Sequence, residues 1–340
     1  MVQNNIGIDL GTTSTIIYIE GKGIVLNEPS VVALDTDTDS VLAVGSEAAK
    51  MVGRTPAHIQ AVYPLKDGII SSQTLTRALI CHFLKKVYTS MLVKPRVAVC
   101  VPSEITGIEN DAVIEAVNSV GARRIYLIEE PVAAALGCGL DIFQPTGHMV
   151  IDLGGGTTDI AVISLGGQVR SASVAVAGNA LDEALIHHLR QTHGIAVGKK
   201  SIELLKREVA DCMAAPETLR IGEIRGCSLL TGLPQRLQVN SLELRQPILD
   251  CVEQIARCAH GVLESTPPEL AGDIYTDGII LTGGCSLLHG LDEYLAQQLK
   301  VRVRVADDPV NCVALGTGRS LELADRLESG FVNATPGLRG

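Results

Sequence analysis

The stretch Ile151-Asp152-Leu153-Gly154-Gly155-Gly156-Thr157-Thr158-Asp159 decides the fold, because Ile8-Asp9-Leu10-Gly11-Thr12-Thr13 echoes it near the N-terminus. Each copy follows an apolar strand and leads into another, Thr15-Ile16-Ile17-Tyr18 after the first and Ile160-Ala161-Val162-Ile163 after the second. Each therefore reads as a β-hairpin with a glycine-bearing turn. Two such hairpins, far apart in one chain, point to a duplicated α/β fold whose halves face each other across a cleft.

The chemistry of the pair follows from its residue types. A turn of glycines and threonines offers several backbone N–H groups and hydroxyls to one anion. Glycine leaves the backbone open to close approach by a phosphate. Asp9 and Asp152, each ending a strand, add two carboxylates at the same place. Carboxylates and a polyphosphate are hard ligands suited to Mg²⁺, through bound waters. No Gly-x-x-x-x-Gly-Lys-Ser/Thr occurs, and the glycines lead into strands rather than helices, so this is neither a Walker A loop nor a dinucleotide fingerprint. One such turn alone would equally be an ordinary hairpin. The matched pair carries the reading.

Three further segments gain meaning beside it. In Glu129-Glu130-Pro131-Val132, Pro131 suits the first turn of a helix and places Glu130 at its boundary. A carboxylate there can orient water toward a γ-phosphate, although in isolation it is equally a surface Glu favoured by the helix dipole. Leu281-Thr282-Gly283-Gly284-Cys285-Ser286-Leu287 runs from an apolar strand into a helix, and its glycines admit a base or ribose, or else serve packing. On a helix expected over 201–213, Glu203, Lys206, Arg207 and Ala210 share a face that can border a ribose, or simply carry a solvated Glu–Lys pair.

Composition sets the outer limits. Hydrophobic residues at 46% and charged residues at 19% describe a globular chain, and 340 residues are enough to divide into domains. With 3% aromatics, aliphatic side chains must build the core. A net charge of −10 argues against nucleic acid as a partner. The nine cysteines include no Cys-x-x-Cys pair and read as small buried hydrophobes of a reducing cytosol. His187, His188 and His193 have no acidic neighbour at ligand spacing and read as helix-surface residues. No apolar run reaches the ~18–20 residues that span a bilayer, and a signal peptide has no room, so a location in the cytoplasm, or at most peripheral to a membrane, is expected.

Strands are predicted at 6–9, 15–20, 97–101, 149–152, 160–164 and 278–282, and helices at 72–88, 107–119, 131–137, 181–192, 201–213, 242–263 and 286–298. The segment 329–340, rich in Gly, Pro and Asn, is expected to fray.

The paired hairpins, the Glu-Pro helix and the late Gly-Gly turn resemble the actin–heat-shock-chaperone–sugar-kinase superfamily. Within it, Gly23-Ile24-Val25-Leu26-Asn27-Glu28-Pro29-Ser30-Val31-Val32, Gly53-Arg54-Thr55-Pro56, Pro64-Leu65-Lys66-Asp67-Gly68, Ile163-Ser164-Leu165-Gly166-Gly167 and Thr266-Pro267-Pro268-Glu269-Leu270 resemble the MreB bacterial actins. The resemblance implies an actin-like ATPase fold of two duplicated lobes with a nucleotide cleft. Residues 1–32, 66–145 and 312–328 would form the large subdomain of lobe I, and 33–65 its small one. Residues 146–180 and 248–311 would form the large subdomain of lobe II, and 181–247 its small one.

It further implies ATP and Mg²⁺ as cofactors, with Asp9 and Asp152 at the metal and Glu130, Asp152 and Thr157 in slow hydrolysis. Thr12, Thr13, Ser14, Gly154, Gly155, Gly156 and Thr157 would hold phosphates; Glu203, Leu204, Leu205, Lys206 and Arg207, with Gly283, Gly284, Cys285, Ser286 and Leu287, would border the adenosine. Implied partners are other copies of the chain in a filament, the cytoplasmic membrane surface, and cell-elongation proteins such as RodZ, MreC and MreD. The implied role is organising cell-wall synthesis in rod-shaped cells. A chaperone-like ATPase or small-molecule kinase of the same superfamily is the alternative.

Tyr63 replaces an Arg of the family pattern, Cys285 a third Gly, and Asp159 a Glu, and the region 211–223 is altered. The membrane contact implied is Met91-Leu92-Val93, flanked by Lys85, Lys86, Lys94 and Arg96. Each such apolar side chain contributes only ~2–3 kcal/mol when buried, so attachment would rely on many copies in a filament.

Overall fold

A computed structural model describes residues 5–66, 68–88, 94–102, 105–327 and 329–336. Two large sheets organise the chain. One runs in the order Phe331–Asn333, Arg124–Glu129, Arg96–Val101, Asn5–Leu10, Ser14–Ile19, Gly23–Pro29. The other runs Gly167–Val174, Thr158–Ser164, His148–Leu153, Ile279–Thr282, Val303–Val305. Each holds an antiparallel three-stranded meander, extended by two parallel strands that arrive through helical crossovers. The duplication legible in the two Asp-Leu-Gly motifs is therefore a duplication of sheet topology.

The strands at the centre of each sheet read as unbroken apolar runs because helices cover both faces. Met149, Val150 and Ile151 are at most 1% exposed, as are Val97, Ala98, Val99 and Cys100. One core packs Leu79, Ile80 and Phe83 of helix Gln73–Val87 under the first sheet; a second packs Leu181, Leu185 and Leu189 of helix Gly178–His193 against the second. A third lies between the sheets, where Val132–Leu136 of helix Glu130–Gly137 meet Cys100 and Ile128 on one side and Val150, Ala161 and Ile163 on the other. Side-chain caps set several helix starts: Ser72 accepts from Leu75 N–H, Asn240 from Glu243 N–H, and Thr106 forms a reciprocal capping box with Glu109. Two small sheets, Val32–Asp35 with its neighbours Ser40–Val44 and Ile59–Val62, and Ile195–Val197 with Ile221–Ser228 and Pro234–Asn240, flank the large ones. Among the described residues no helix is long and apolar enough to cross a membrane.

Several sequence-based expectations are corrected. The segment after Ser329 does not fray throughout: Phe331–Asn333 pairs with Arg124–Glu129, and Phe331 stacks on Tyr126 at 5.1 Å. Apolar burial and backbone pairing outweigh its loop-like composition. The helix expected over 201–213 spans Lys199–Val209, because Ala210 turns extended and Asp211 bridges to His289. The helix expected over 286–298 is split into a 3₁₀ turn, Gly284–Leu287, and a helix, Leu291–Leu299, by Gly290 at φ 68°. Helix Pro268–Asp277 was not anticipated. His188 and His193 both contact Glu243, which the long helix Ser241–Ser265 brings in from a distant part of the chain. Met91-Leu92-Val93 lies outside the described residues.

Candidate functional site

Both hairpin turns close with the same backbone hydrogen bond. Gly11 N–H donates to Ser14 O at 3.1 Å, and Gly154 N–H to Thr157 O at 3.0 Å. The two turns meet: a side-chain carbon at Gly155 would lie 2.3 Å from Thr13 Cγ2. Only glycine lets the second turn approach the first this closely. Gly68 completes the contact, since its N–H donates to Thr12 Oγ1 at 3.4 Å and a carbon added there would lie 2.9 Å from Thr157 Cγ2. Its φ of +77° is the left-handed conformation that favours glycine.

Behind the turns lies an acidic cluster. Asp9 is partly buried, while Asp152 and Asp159 are almost wholly buried and pair across the second hairpin. Burial pushes the Asp9 carboxyl up to about 7. Burial, then the charges of Asp159 and Asp9, holds Asp152 well above the carboxylate range. Glu130 is raised likewise by burial, by Asp159, Asp152 and Asp9, and by a hydrogen bond with Asp159. Carboxylates crowded this way call for a positive charge among them. Asp152 Oδ1 is moreover a buried acceptor with no hydrogen-bond donor. Among the described residues no three His, Cys, Asp or Glu side chains form a cage for a metal ion.

Further along, four elements converge on Gly178. Its N–H donates to Gly154 O at 3.3 Å, and its carbonyl accepts from Lys206 Nζ at 2.9 Å. Lys206, almost wholly buried, pairs with Asp182 at 2.8 Å rather than with its helix neighbour Glu203. Cys285 Sγ would lie 2.8 Å from a carbon added to Gly178. Glu203 stands exposed at the rim, where its charge, after burial, helps raise the Tyr63 phenol. Tyr63 follows strand Ile59–Val62 of one small sheet, and Glu203 lies on helix Lys199–Val209.

Of the residues read from sequence, Asp9, Thr12, Thr13, Gly155, Thr157, Glu130 and Asp152 gather around the turns. Lys206, Cys285 and Glu203 gather around Gly178. Two do not belong. Leu205 is 3% exposed in the second core, and the Ser286 hydroxyl donates to Gly283 O at 2.6 Å while buried. Leu204, Arg207, Gly284 and Leu287 are exposed and Gly156 is buried. Gly68, Gly178 and Asp182 were missed as site residues. For Gly68 a signal was present, since it ends one of the quoted family segments.

The two duplicated sheets, with facing turns at the ends of matched strands, define an actin-like fold. A family description of the MreB/Mbl protein matches residues 3–329, and the chain belongs to that family. It is 47% identical over 328 residues to the cell shape-determining protein Mbl of Bacillus subtilis, covering 96% of this chain and 98% of the relative. To the cell shape-determining protein MreB of Escherichia coli K12 it is 44% identical over 331 residues, covering 96% and 95%. The fold superposes on the crystal structure of MreB5 of Spiroplasma citri bound to AMPPNP with a TM-score of 0.90 and 35% identity, covering 96% of this chain and 98% of that one. It also resembles a MamK double helical filament, TM-score 0.78, over 93% of this chain and 98% of that one; at 22% identity this speaks to the fold alone.

Proposed function

We propose that the chain is an ATP-binding bacterial actin that assembles filaments at the inner face of the cell membrane and organises cell-wall synthesis to set rod shape. The single observation that carries the nucleotide part is the contact of the Thr13 and Gly155 turns in front of the acidic cluster. Relatives named for cell shape, matched almost end to end, support the cellular role. MreB5, which binds AMPPNP and ADP, supports the choice of ligand. The chaperone and kinase readings find no such support.

In this reading, Thr12, Thr13, Ser14 and the Gly155 and Gly156 backbone bind the phosphates. Lys206, Glu203 and the Gly283–Cys285 turn border the adenosine. Asp9 and Asp152 would hold Mg²⁺, which neutralises polyphosphate charge when bound. Glu130, whose carboxyl lies among Asp159, Asp152 and Asp9, would orient the attacking water. The four-subdomain division stays our assignment, with 331–333 reassigned to the lobe I sheet.

Membrane attachment is assigned to Met91-Leu92-Val93, with RodZ-, MreC- and MreD-type proteins as elongation partners. Two of its four flanking cations are already engaged: Lys86 pairs with Glu28, and Arg96 donates to Asn5 Oδ1 and Leu321 O. Lys85 and Lys94 are the exposed cations left for anionic headgroups.

Electron microscopy of the protein with ATP and anionic liposomes tests the whole reading. Filaments on the lipid surface are expected; a protein that stays monomeric under every nucleotide and lipid condition overturns it.

A further inference from the structure

Outside the nucleotide cleft, two of the nine free cysteines face each other. Cys138 caps the C-terminus of helix Glu130–Gly137, and Cys312 opens helix Cys312–Ser320. Their sulfurs lie 3.5 Å apart. The backbones around them are in direct contact: a carbon added to Gly137 would lie 1.8 Å from Cys312 O, and one added to Gly316 would lie 1.7 Å from Ala133 O. A disulfide needs an S–S distance of about 2.05 Å, so the sulfurs must approach by about 1.5 Å.

The location gives the contact its interest. Among the described residues the chain passes between the two large sheets twice, from helix Glu130–Gly137 to strand His148–Leu153 and from strand Val303–Val305 to helix Cys312–Ser320. Cys138 opens the first crossing and Cys312 closes the second. Both pack in one apolar cluster with Ile280, Ala306 and Leu140. A bond between them would tie the two crossings together.

We propose that Cys138 and Cys312 form a reversible disulfide that locks the hinge between the lobes, with a hydroperoxide as oxidant. Cys138 is half-buried and Cys312 is 2% exposed, so the oxidant that reaches the pair must be as small as hydrogen peroxide. Cys312 suits the first step: it starts a helix, and the S–H of Cys138 donates to it, lowering its thiol to about 7, whereas the same bond and burial raise the Cys138 thiol. The Cys312 thiolate attacks the peroxide, breaking the O–O bond; it becomes a sulfenic acid, and the hydroxide that leaves takes the Cys138 S–H proton to become water. The Cys138 thiolate so formed then attacks Cys312 Sγ, displacing a second hydroxide, which takes up the proton Cys312 had released and becomes the second water. Two thiols and one hydrogen peroxide thus yield one disulfide and two waters.

The test exposes the full chain to hydrogen peroxide, then digests it without reductant for mass spectrometry. The expected product is one peptide pair joined through Cys138 and Cys312, released by dithiothreitol and absent from Cys138→Ser. Exposed Cys227 serves as the internal measure of oxidation. Oxidation of Cys227 without a Cys138–Cys312 pair overturns the site. Amide hydrogen exchange in 139–147 and 306–311 reads the hinge directly and needs no nucleotide. It is expected to slow by about fivefold or more in the oxidised wild type and to be unchanged in peroxide-treated Cys138→Ser. An unchanged rate in fully cross-linked protein overturns the lock. A slowed release of bound nucleotide would follow only if the proposed function also holds, so its absence beside slowed exchange counts against that function and not against the lock.

Discussion

The two hairpins share a scaffold and differ in chemistry. Each turn closes with one N–H to C=O bond of nearly equal length, and each lies beside a parallel strand, with Cys100 opposite Asp9 and Thr282 opposite Asp152. The first turn is built of hydroxyls, Thr12, Thr13 and Ser14, and is backed by Ile16, a core residue. In the second, Gly155 and Gly156 leave bare backbone, and the position matching Ile16 is the buried acid Asp159. Duplication fixed where the turns lie. Later divergence gave one the side-chain donors and the other the close backbone approach and the acids.

The sharpest break in that comparison comes at Glu130, which faces the acids of the second hairpin. Glu130→Ala is expected to lower ATP turnover by about 10²–10⁴-fold, read as phosphate release, while nucleotide affinity changes little. Gly155→Ala tests the close approach. The added carbon would meet Thr13 Cγ2, so nucleotide affinity in a fluorescence titration should fall about tenfold or more. Thr13→Gly in the same chain should then cost less than it does alone, and simple additivity of the two changes would show that the turns do not touch.

Asp9 tests the electrostatics of the first hairpin. Its carboxyl is raised from 3.8 to about 7 in the folded chain, so its contribution to stability is present below about 4 and lost as pH rises through about 7. In chelator-treated protein, Asp9→Asn should therefore raise the melting temperature at pH 8 and flatten its decline between pH 5 and 8. The shift should be about 2–4 °C for each kcal/mol recovered. The smallest effect is expected at Cys285, which packs against Gly178 beside the turn of the second hairpin. Cys285→Gly should change nucleotide affinity by no more than about threefold.

Local rules made the central architecture readable. Strand-turn-strand patterning, an Asp at each strand end and a Pro after Glu130 are short-range signals, and the structure places those residues as they imply. What the sequence did not disclose depends on contacts between distant segments. Lys206 looked like a partner for Glu203 one helical turn away, but tertiary packing delivers Asp182 from another helix. Leu205 sits beside functional residues in sequence and points the opposite way, into the core, because helical neighbours diverge by about 100°. Gly68 carries its role through backbone conformation and a missing side chain, which composition cannot reveal. The Phe331–Asn333 strand was hidden because a short edge strand needs its partner more than its own propensity.

That edge strand has a practical consequence for anyone assaying assembly. Phe331–Asn333 covers one side of Arg124–Glu129, Ala334 N–H donates to Ile125 O at 2.9 Å, and Thr335 Oγ1 accepts from Ile125 N–H at 3.0 Å. Truncating the chain before Phe331, or crowding this segment with a fused tag, would uncover a row of unpaired backbone groups ready to join strands from other molecules. Such material would pellet in a centrifuge much as ordered polymer does. Sedimentation of a C-terminally altered chain would then report stickiness as though it were cytoskeleton, and only its appearance under the microscope would tell the two apart.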